Sequence, residues 1–331
     1  MTRPAVRRTV QATLTVVGVG FLVYLVHRIG LDVVWGNLTH FGWWFLLTCA
    51  MGASWLLLQA AAWWTVQDAY FARVRLAVLF RVKIISDSFN LLLPSASLGG
   101  DAMRAFLIRA HAPLRDGVPG VLFDKTVEFA ASVVFLTTGL VLGLLFLHLP
   151  RALLIPAGIS VAITAAGTVA LVILLRRGVT ARLQKVGSRV PRAAEWIASK
   201  HSQLLAVDEN LRLLYSGRIT RALPPLMLHL GSRLVGVLEF LLVLRVLGAP
   251  VTLLQALFIS TIVTIGNTVF FLLPGQWGAM ESVHILVVQS LGYPPAIGLS
   301  LSIIRRIRRL LIVAVALMLY AARRDPPPRQ G

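Results

Sequence analysis

Charged residues are scarce in this chain: they make up 14% of its 331 residues, while 57% are hydrophobic. In soluble globular domains about a quarter of the residues are charged, so this sequence lacks the polar surface that would cover it in water. The mean hydropathy of +0.80 agrees with this reading. The composition therefore excludes an ordinary soluble domain and favours an integral membrane protein.

Acidic residues are scarcer still, with 13 Asp and Glu against 32 Lys and Arg, a net charge of +19. In a soluble protein this excess would indicate nucleic-acid binding. In so apolar a chain, basic loops that orient the protein and meet anionic lipid account for it, and we expect no nucleic-acid partner. Cys49 is the single cysteine and lies in an apolar run, which excludes an intramolecular disulfide.

The sequence also lacks the usual catalytic and nucleotide-binding motifs. It has no HExxH, no Cys/His cluster, no GxSxG and no Walker A motif. We therefore expect a protein that is not an enzyme, that holds no metal ion or cofactor, and that has no nucleotide site to drive transport.

Long uncharged runs are what the sequence has instead. About 20 apolar residues cross a bilayer as a helix, and in hydrocarbon the backbone must satisfy its own hydrogen bonds. The 35-residue run at 246–280 is too long for one crossing and is expected to bend. We predict an all-α, polytopic membrane protein with about six to eight transmembrane helices, from runs at 9–26, 42–66, 129–149, 152–175 and 246–280.

Basic residues predict the orientation. Arg3, Arg7 and Arg8 place the N-terminus in the cytoplasm of a bacterial-type inner membrane, and the first span leads to a short external loop around Asp32. Lys83 belongs to a stretch read as a cytoplasmic loop. Residues 176–221 hold ten basic and three acidic side chains and form a further cytoplasmic loop. Residues 1–331 are thus one transmembrane domain, with a first half at about 42–175 and a second half at about 222–322.

An internal repeat is indicated by two similar segments 180 residues apart. Leu92-Leu93-Pro94 recurs as Leu272-Leu273-Pro274, with an acid seven residues after each proline and a basic or imidazole side chain ten residues after it. Glycines lie between in both segments. Charge counting puts both flanks of residues 84–108 on one side of the membrane. We predict two re-entrant hairpins in an inverted repeat, the arrangement of many transporters.

Ionisable side chains in membrane segments are costly, so each is a candidate for function, with a structural ion pair as the alternative. A helix that ends inside the membrane presents free N–H groups and a positive dipole end, which suits an anion such as a lipid phosphate. The predicted substrate-binding residues are Pro94, Gly99, Gly100, Asp101, Arg104, Glu128, Arg233, Glu239, Pro274, Gly278, Glu281, His284, Arg305 and Arg308.

The arginines near the C-terminus permit two placements. Arg305, Arg306, Arg308 and Arg309 precede only 13 uncharged residues. Either they lie in a loop before a short span, as the charge rule favours, or they lie within a longer helix that starts at about Ala296, as the repeat favours.

These segments carry a resemblance to a known family. The stretch from Asn90 to Arg109, the segment FFLLPGQWGAMESVHILVVQSLG, and the arginine-bearing stretch at 300–309 resemble the flippase-like family named for the transmembrane region of lysylphosphatidylglycerol synthase. Members associated with hopanoid biosynthesis are the most similar. The resemblance implies a lipid carrier with two re-entrant hairpins at a central cavity. Only nine residues follow Ala322, so the soluble aminoacyl-transfer domain of the full synthase is not expected.

The function expected from the sequence is movement of an amphipathic, anionic lipid or lipid-linked precursor between leaflets. The partners would be anionic phospholipid, isoprenoid or polyprenyl-phosphate lipid, together with lipid-biosynthesis enzymes. Two alternatives remain: an intramembrane transferase that uses Asp101 or Glu281 as general base, and a scaffold for a lipid or hopanoid biosynthesis complex.

The basic loop generates a first prediction. Each charge that contacts an anionic membrane surface contributes about 1 kcal/mol, an attraction that salt screens. Neutralising Arg182, Lys185, Arg189 and Arg192 should weaken association with anionic lipid without affecting folding. Native mass spectrometry measures the retained lipid, and unchanged retention would contradict the prediction.

Overall fold

Helices form most of the chain that the structure, a computed structural model, describes: residues 24, 27, 31–71, 73–92, 98–147, 151–176, 201–216, 219–270, 273 and 276–322. Pro94, Pro274 and the predicted first span at 9–26, apart from Tyr24, lie outside these residues. The described helices are α1 Leu31–Phe41, α2 Trp44–Tyr70, α3 Leu76–Leu92, α4 Leu98–Ile108, α5 Leu114–Phe146, α6 Arg151–Arg176, α7 His201–Ser216, α8 Leu223–Val246, α9 Leu253–Val269, α10 Ala279–Ser290 and α11 Pro295–Ala321.

Four stretches of the described chain are helices long and apolar enough to cross a membrane. They are Trp44–Tyr70, Leu114–Phe146, Gly158–Arg176 and Thr220–Val246. The shorter α9 is also apolar. These helices confirm an all-helical membrane protein, while the predicted total of six to eight spans stays a prediction.

Three segments differ from the loops expected there. Residues 31–41, predicted as part of an external loop, form α1, which packs on α11 and whose Asn37 Nδ2 donates to Ser300 Oγ at 3.0 Å. Helix α5 starts at Leu114, well before the uncharged run at 129–149, and its charged residues Asp124, Lys125 and Glu128 form ion pairs inside the bundle. Part of the predicted basic loop forms α7.

Helix α7 is attached to α5 by polar and aromatic contacts, and Asn210 Nδ2 donates to the Arg115 carbonyl at 2.8 Å. Tyr215 Oη lies 2.7 Å from Thr126 Oγ1, and the Tyr215 ring lies 5.4 Å from that of Phe123. Burial raises the pKa of Tyr215 to about 12, so the hydroxyl stays protonated and can donate to Thr126. The end of the basic segment is therefore fixed against the helical bundle.

The long uncharged run at 246–280 is divided, as predicted, into α9 and the start of α10. Gly278, directly before α10, has a φ of 72°, and Gln276 has a φ of 52°. Left-handed backbone of this kind favours glycine and ends a helix. The chain therefore turns back here, and α9 and α10 pack on each other as α3 and α4 do.

Two groups of four helices repeat the same order of lengths. Helices α2 to α5 have 27, 17, 11 and 33 residues, and α8 to α11 have 24, 17, 12 and 27. The packing repeats too: α5 packs on α9 as α11 packs on α3, and α2 packs on α5 as α8 packs on α11. These matches agree with the predicted repeat. The opposite orientation of its halves and the re-entrant nature of the hairpins stay predictions.

The placement of the C-terminal arginines is decided by α11. Its 27 residues run unbroken from Pro295 to Ala321, so the arginines at 305–309 lie in the middle of a helix. The second of the two placements is the one observed.

The first hairpin generates a packing prediction. The Gly100 N–H donates to Asn90 Oδ1 at 2.7 Å, and a Cβ at Gly100 would overlap the Asn90 amide and the Ser86 carbonyl. Gly100→Ala should therefore destabilise the protein by about 1–3 kcal/mol. Gly158→Ala is the control, because nothing lies within 4 Å of its Cβ position. Thermal unfolding in detergent measures the difference, and equal midpoints would contradict the close packing.

Candidate functional site

A cavity of about 670 Å³ lies between the two repeated groups of helices. Its lining comes from α2, α3, α4, α5, α6, α8, α9 and α11. Charged side chains dominate the polar part of the lining. Seven are basic (Lys83, Arg104, Lys125, Arg233, Arg305, Arg308, Arg309) and four are acidic (Asp87, Asp101, Glu128, Glu239).

On the side of the first half, Arg104 is the most completely buried cation. Its Nη2 donates to Asp124 Oδ2 at 2.6 Å, and its Nη1 lies 3.4 Å from Asp101 Oδ1. The other oxygen of Asp124 lies 2.9 Å from His229 Nε2 on α8. The guanidinium also lies over the Trp63 ring, 4.4 Å from its centroid. Charged hydrogen bonds and a cation–π contact thus join α4, α5, α8 and α2.

Lys125 forms a second pair of contacts at the same wall. Its Nζ lies 3.3 Å from Asp101 Oδ2 and 3.3 Å from Glu128 Oε2, over the face of Phe129. Asp101 therefore bridges Arg104 and Lys125, so the cations and acids on this side neutralise one another.

On the side of the second half, one acid serves two arginines. Glu239 Oε2 lies 3.0 Å from Arg308 Nη1 and 3.4 Å from Arg305 Nη1. Arg305 lies over the Phe240 ring at 3.9 Å. Gly52 on α2 makes room for Arg308, since a Cβ there would lie 2.7 Å from Arg308 Nη1. Two guanidinium groups thus share one carboxylate.

The acids that follow the two prolines have corresponding partners. Asp101 pairs with Lys125, and Glu281 Oε1 lies 2.5 Å from Arg306 Nη2. Lys125 and Arg306 are each the twelfth residue of the long helix that follows the hairpin. Each hairpin is therefore attached to its next helix by an ion pair at the same register.

Three cations of the lining have no carboxylate within 4.0 Å among the described residues: Lys83, Arg233 and Arg309. Lys83 is buried in α3 and Arg233 is half-buried in α8, where its Nη2 donates to Ser132 Oγ at 2.5 Å. Asp124, which lies behind the lining, brings the acids that act on the cavity to five against seven cations. The site therefore carries an excess of positive charge.

Comparison with known proteins assigns the chain to a family. The sequence profile of the family described as "Lysylphosphatidylglycerol synthase TM region" matches residues 10–316. The chain belongs to this family. No curated protein and no solved structure matches it. Family membership and the apolar helices together show that this is a multi-pass membrane protein. The family also indicates a function related to membrane lipid.

In this member of the lysylphosphatidylglycerol synthase TM-region family, half of the fourteen predicted site residues line the cavity. They are Asp101, Arg104, Glu128, Arg233, Glu239, Arg305 and Arg308. Gly99, Gly100 and Gly278 shape the hairpins, and Pro94 and Pro274 lie outside the described residues.

Two predicted side chains lie behind the lining. Glu281 is fully buried against Arg306. His284 was paired with Glu281 on sequence spacing, but its Nδ1 lies 2.6 Å from the Met280 carbonyl and its ring stacks on Phe240. Spacing along one helix shows which residues share a face, but not which neighbouring helix supplies the partner.

Four charged lining residues were not among the predicted candidates: Lys83, Asp87, Lys125 and Arg309. Lys83 was assigned to a loop, whereas it is 4% exposed in the middle of α3. The available signal was its spacing, because a Lys and an Asp four residues apart in an apolar stretch share one face of a helix.

The buried Arg104–Asp124–His229 cluster generates a stability prediction. Removing one partner of a buried ion pair leaves a charge uncompensated and costs about 3–5 kcal/mol. Asp124→Asn should therefore lower the unfolding temperature in detergent strongly, although it preserves the shape of the side chain. Asp32→Asn, at an exposed acid of α1, should leave it unchanged. A small effect of Asp124→Asn would show that the cluster does not hold the bundle together.

Proposed function

We propose that this protein is a carrier that moves an anionic lipid, or a lipid-linked precursor, between the leaflets of the membrane without changing it chemically. The observation that carries the proposal is the excess of cations in a cavity enclosed by apolar helices. The lining of this cavity favours a ligand of negative charge.

The physical argument starts from the cost of charge at membrane depth. Cations there are expensive unless an acid or a ligand compensates them. Arg104, Lys125, Arg305 and Arg308 each have a carboxylate within 4.0 Å. Lys83, Arg233 and Arg309 have none within that distance among the described residues. A phosphate on a phospholipid or polyprenyl headgroup supplies the missing charge and accepts hydrogen bonds from guanidinium groups.

The repeat supports a carrier over a fixed binding protein. In transporters built from inverted repeats, substrates bind between the halves, at Pro- or Gly-interrupted helices. Here the cavity lies between the two groups of helices, and Asp101 on the short helix of the first hairpin lines it. We extend the proposal to re-entrant hairpins of opposite orientation, a cytoplasmic N-terminus and residence in a bacterial-type inner membrane.

Reconstitution in liposomes tests the proposal against its alternatives. Vesicles carry fluorescent phosphatidylglycerol or a polyprenyl phosphate, and the accessible fraction in the outer leaflet is followed over time. Movement of unmodified lipid supports the carrier. A chemically altered lipid would indicate a transferase instead. If the lipid is neither moved nor altered, the remaining function is a scaffold for lipid-biosynthesis enzymes.

A charge-removal series sharpens this test. Arg233→Gln keeps hydrogen-bonding capacity but removes a cation that no carboxylate pairs, and hydrogen bonds to charged groups contribute about 1.5–3 kcal/mol. We expect transport of the anionic lipid to fall about tenfold or more, and Arg309→Gln to act in the same direction.

Arg245→Gln is the matched control, because Arg245 lies on the same helix, is exposed, and donates to the Val251 carbonyl outside the cavity. Equal transport by the Arg233 and Arg245 variants, at equal abundance in the membrane, would remove the excess charge from the mechanism.

A further inference from the structure

Helices α5 and α9 pack closely at one end, and further along both helices line the cavity. A Cβ at Gly139 on α5 would overlap the Thr261 side chain on α9, so the backbone of α5 contacts that side chain directly. One to three turns away, α5 lines the cavity with Phe129, Ser132 and Leu136, and α9 lines it from Val263 to Thr268. No side-chain hydrogen bond or ion pair joins α5 to α9 in the described part of the chain. We call the part of the cavity that these lining residues border the α5–α9 seam.

In the described part of the chain, α6 packs on both α5 and α9 and covers this seam with its middle. Ile163, Thr164 and Gly167 line the cavity, although Ile163 is 60% exposed. In the apolar stretch of α6, 11% of the residues are buried, against 33–39% in the other three stretches of spanning length. A Cβ at Gly167 would meet nothing within 4 Å. The cover is therefore thin, and the cavity reaches the outer surface of the bundle beside Gly167.

The corresponding pair of the repeat is closed. Helices α3 and α11 are joined by the Arg81 Nη2, which donates to the Leu319 carbonyl at 2.8 Å, and by the rings of Phe89 and Tyr320, 5.9 Å apart. Two similar helix pairs thus differ in one respect: one is bridged by side chains, and the other is covered by a loosely packed helix.

From this asymmetry we infer that the α5–α9 seam beneath α6 is a binding site for a hydrocarbon chain of the lipid. The inference rests on the proposed function for the headgroup. A headgroup held in the cavity stays covalently attached to chains that the charged lining would exclude, so the chains need an apolar exit. Leu136, Ile163 and Val263 supply apolar lining, and the exposed apolar side chains of α6 continue it into the bilayer.

The seam also makes Gly167 the residue that sets the width of the exit. Because no neighbouring atom lies near its Cβ position, a larger side chain fits without disturbing the fold, but it occupies the space that the chain requires. Gly158 offers a matched position: it lies on the same helix, is equally free of neighbours, is exposed, and does not line the cavity.

The experiment uses the full-length protein in liposomes that contain phosphatidylglycerol with a photoactivatable diazirine in one acyl chain. After irradiation, cross-linked peptides are mapped by mass spectrometry for wild type, Gly167→Phe and Gly158→Phe. We expect wild-type cross-links at 163–167 of α6 and 263–268 of α9, their loss in Gly167→Phe, and their retention in Gly158→Phe. Cross-links spread evenly over the exposed residues of α6, or unchanged by Gly167→Phe, would overturn the inference.

Lipid movement measured on the same vesicles separates the two proposals. Slow movement in Gly167→Phe, with normal movement in Gly158→Phe, supports the seam as the route of the chain. If wild type moves lipid and Gly167→Phe moves it equally well, the inference fails and the carrier stands. If neither the wild type nor the variants move lipid, but the cross-links map to the seam and depend on Gly167, the binding site for the chain stands and the carrier proposal fails.

Discussion

Charge compensation at membrane depth is the constraint on which the arrangement of the helices depends. Arg104 and Asp124 are almost completely buried, and neither is tolerable there without the other. Their contact fixes α4 against α5, and His229 adds α8. Glu239 and Glu281 do the same for α11, the first from α8 and the second from α10. The hairpins and long helices are thus positioned by a few ion pairs within a largely apolar packing.

The two halves agree in architecture and differ in charge. At the eleventh and fifteenth positions of the long helix after the hairpin, α5 has Asp124 and Glu128, whereas α11 has Arg305 and Arg309. The twelfth position is basic in both. The acids of the first half are therefore numerous enough to neutralise the cations of that half. The second half has fewer acids than cations and keeps an excess of positive charge. The two halves thus share one architecture, but the residues from the second half form the side of the cavity that attracts anions.

Much of the fold followed from the sequence because apolar length and glycine breaks are local properties. The uncharged runs located α2, α6 and the division between α9 and α10. Helix α1 was missed since its stability comes from packing on α11, which no local pattern shows. Helix α5 was predicted too short because Asp124, Lys125 and Glu128 interrupt the uncharged run, although ion pairs hold them within the bundle.

The candidate site was recoverable only in part for a related reason. Asp101, Arg104 and Glu239 stand out as charges in apolar surroundings, and the structure places all three at the cavity. Which acid pairs with which base depends on how each helix is rotated about its axis relative to its neighbours. The hydrophobic periodicity of a sequence does not show this rotation. Lys83 illustrates the limit, since nearby arginines made its stretch resemble a loop.

The four arginines in the middle of α11 have a consequence for how the chain is made. On insertion scales, four such residues at the centre of a helix oppose entry into the bilayer by about 10–14 kcal/mol, so α11 does not partition on its own. The acids that compensate it, Glu239 and Glu281, lie earlier in the chain and leave the ribosome first. Helices α8 and α10 are therefore made before α11, and their acids are present to compensate its arginines when it packs.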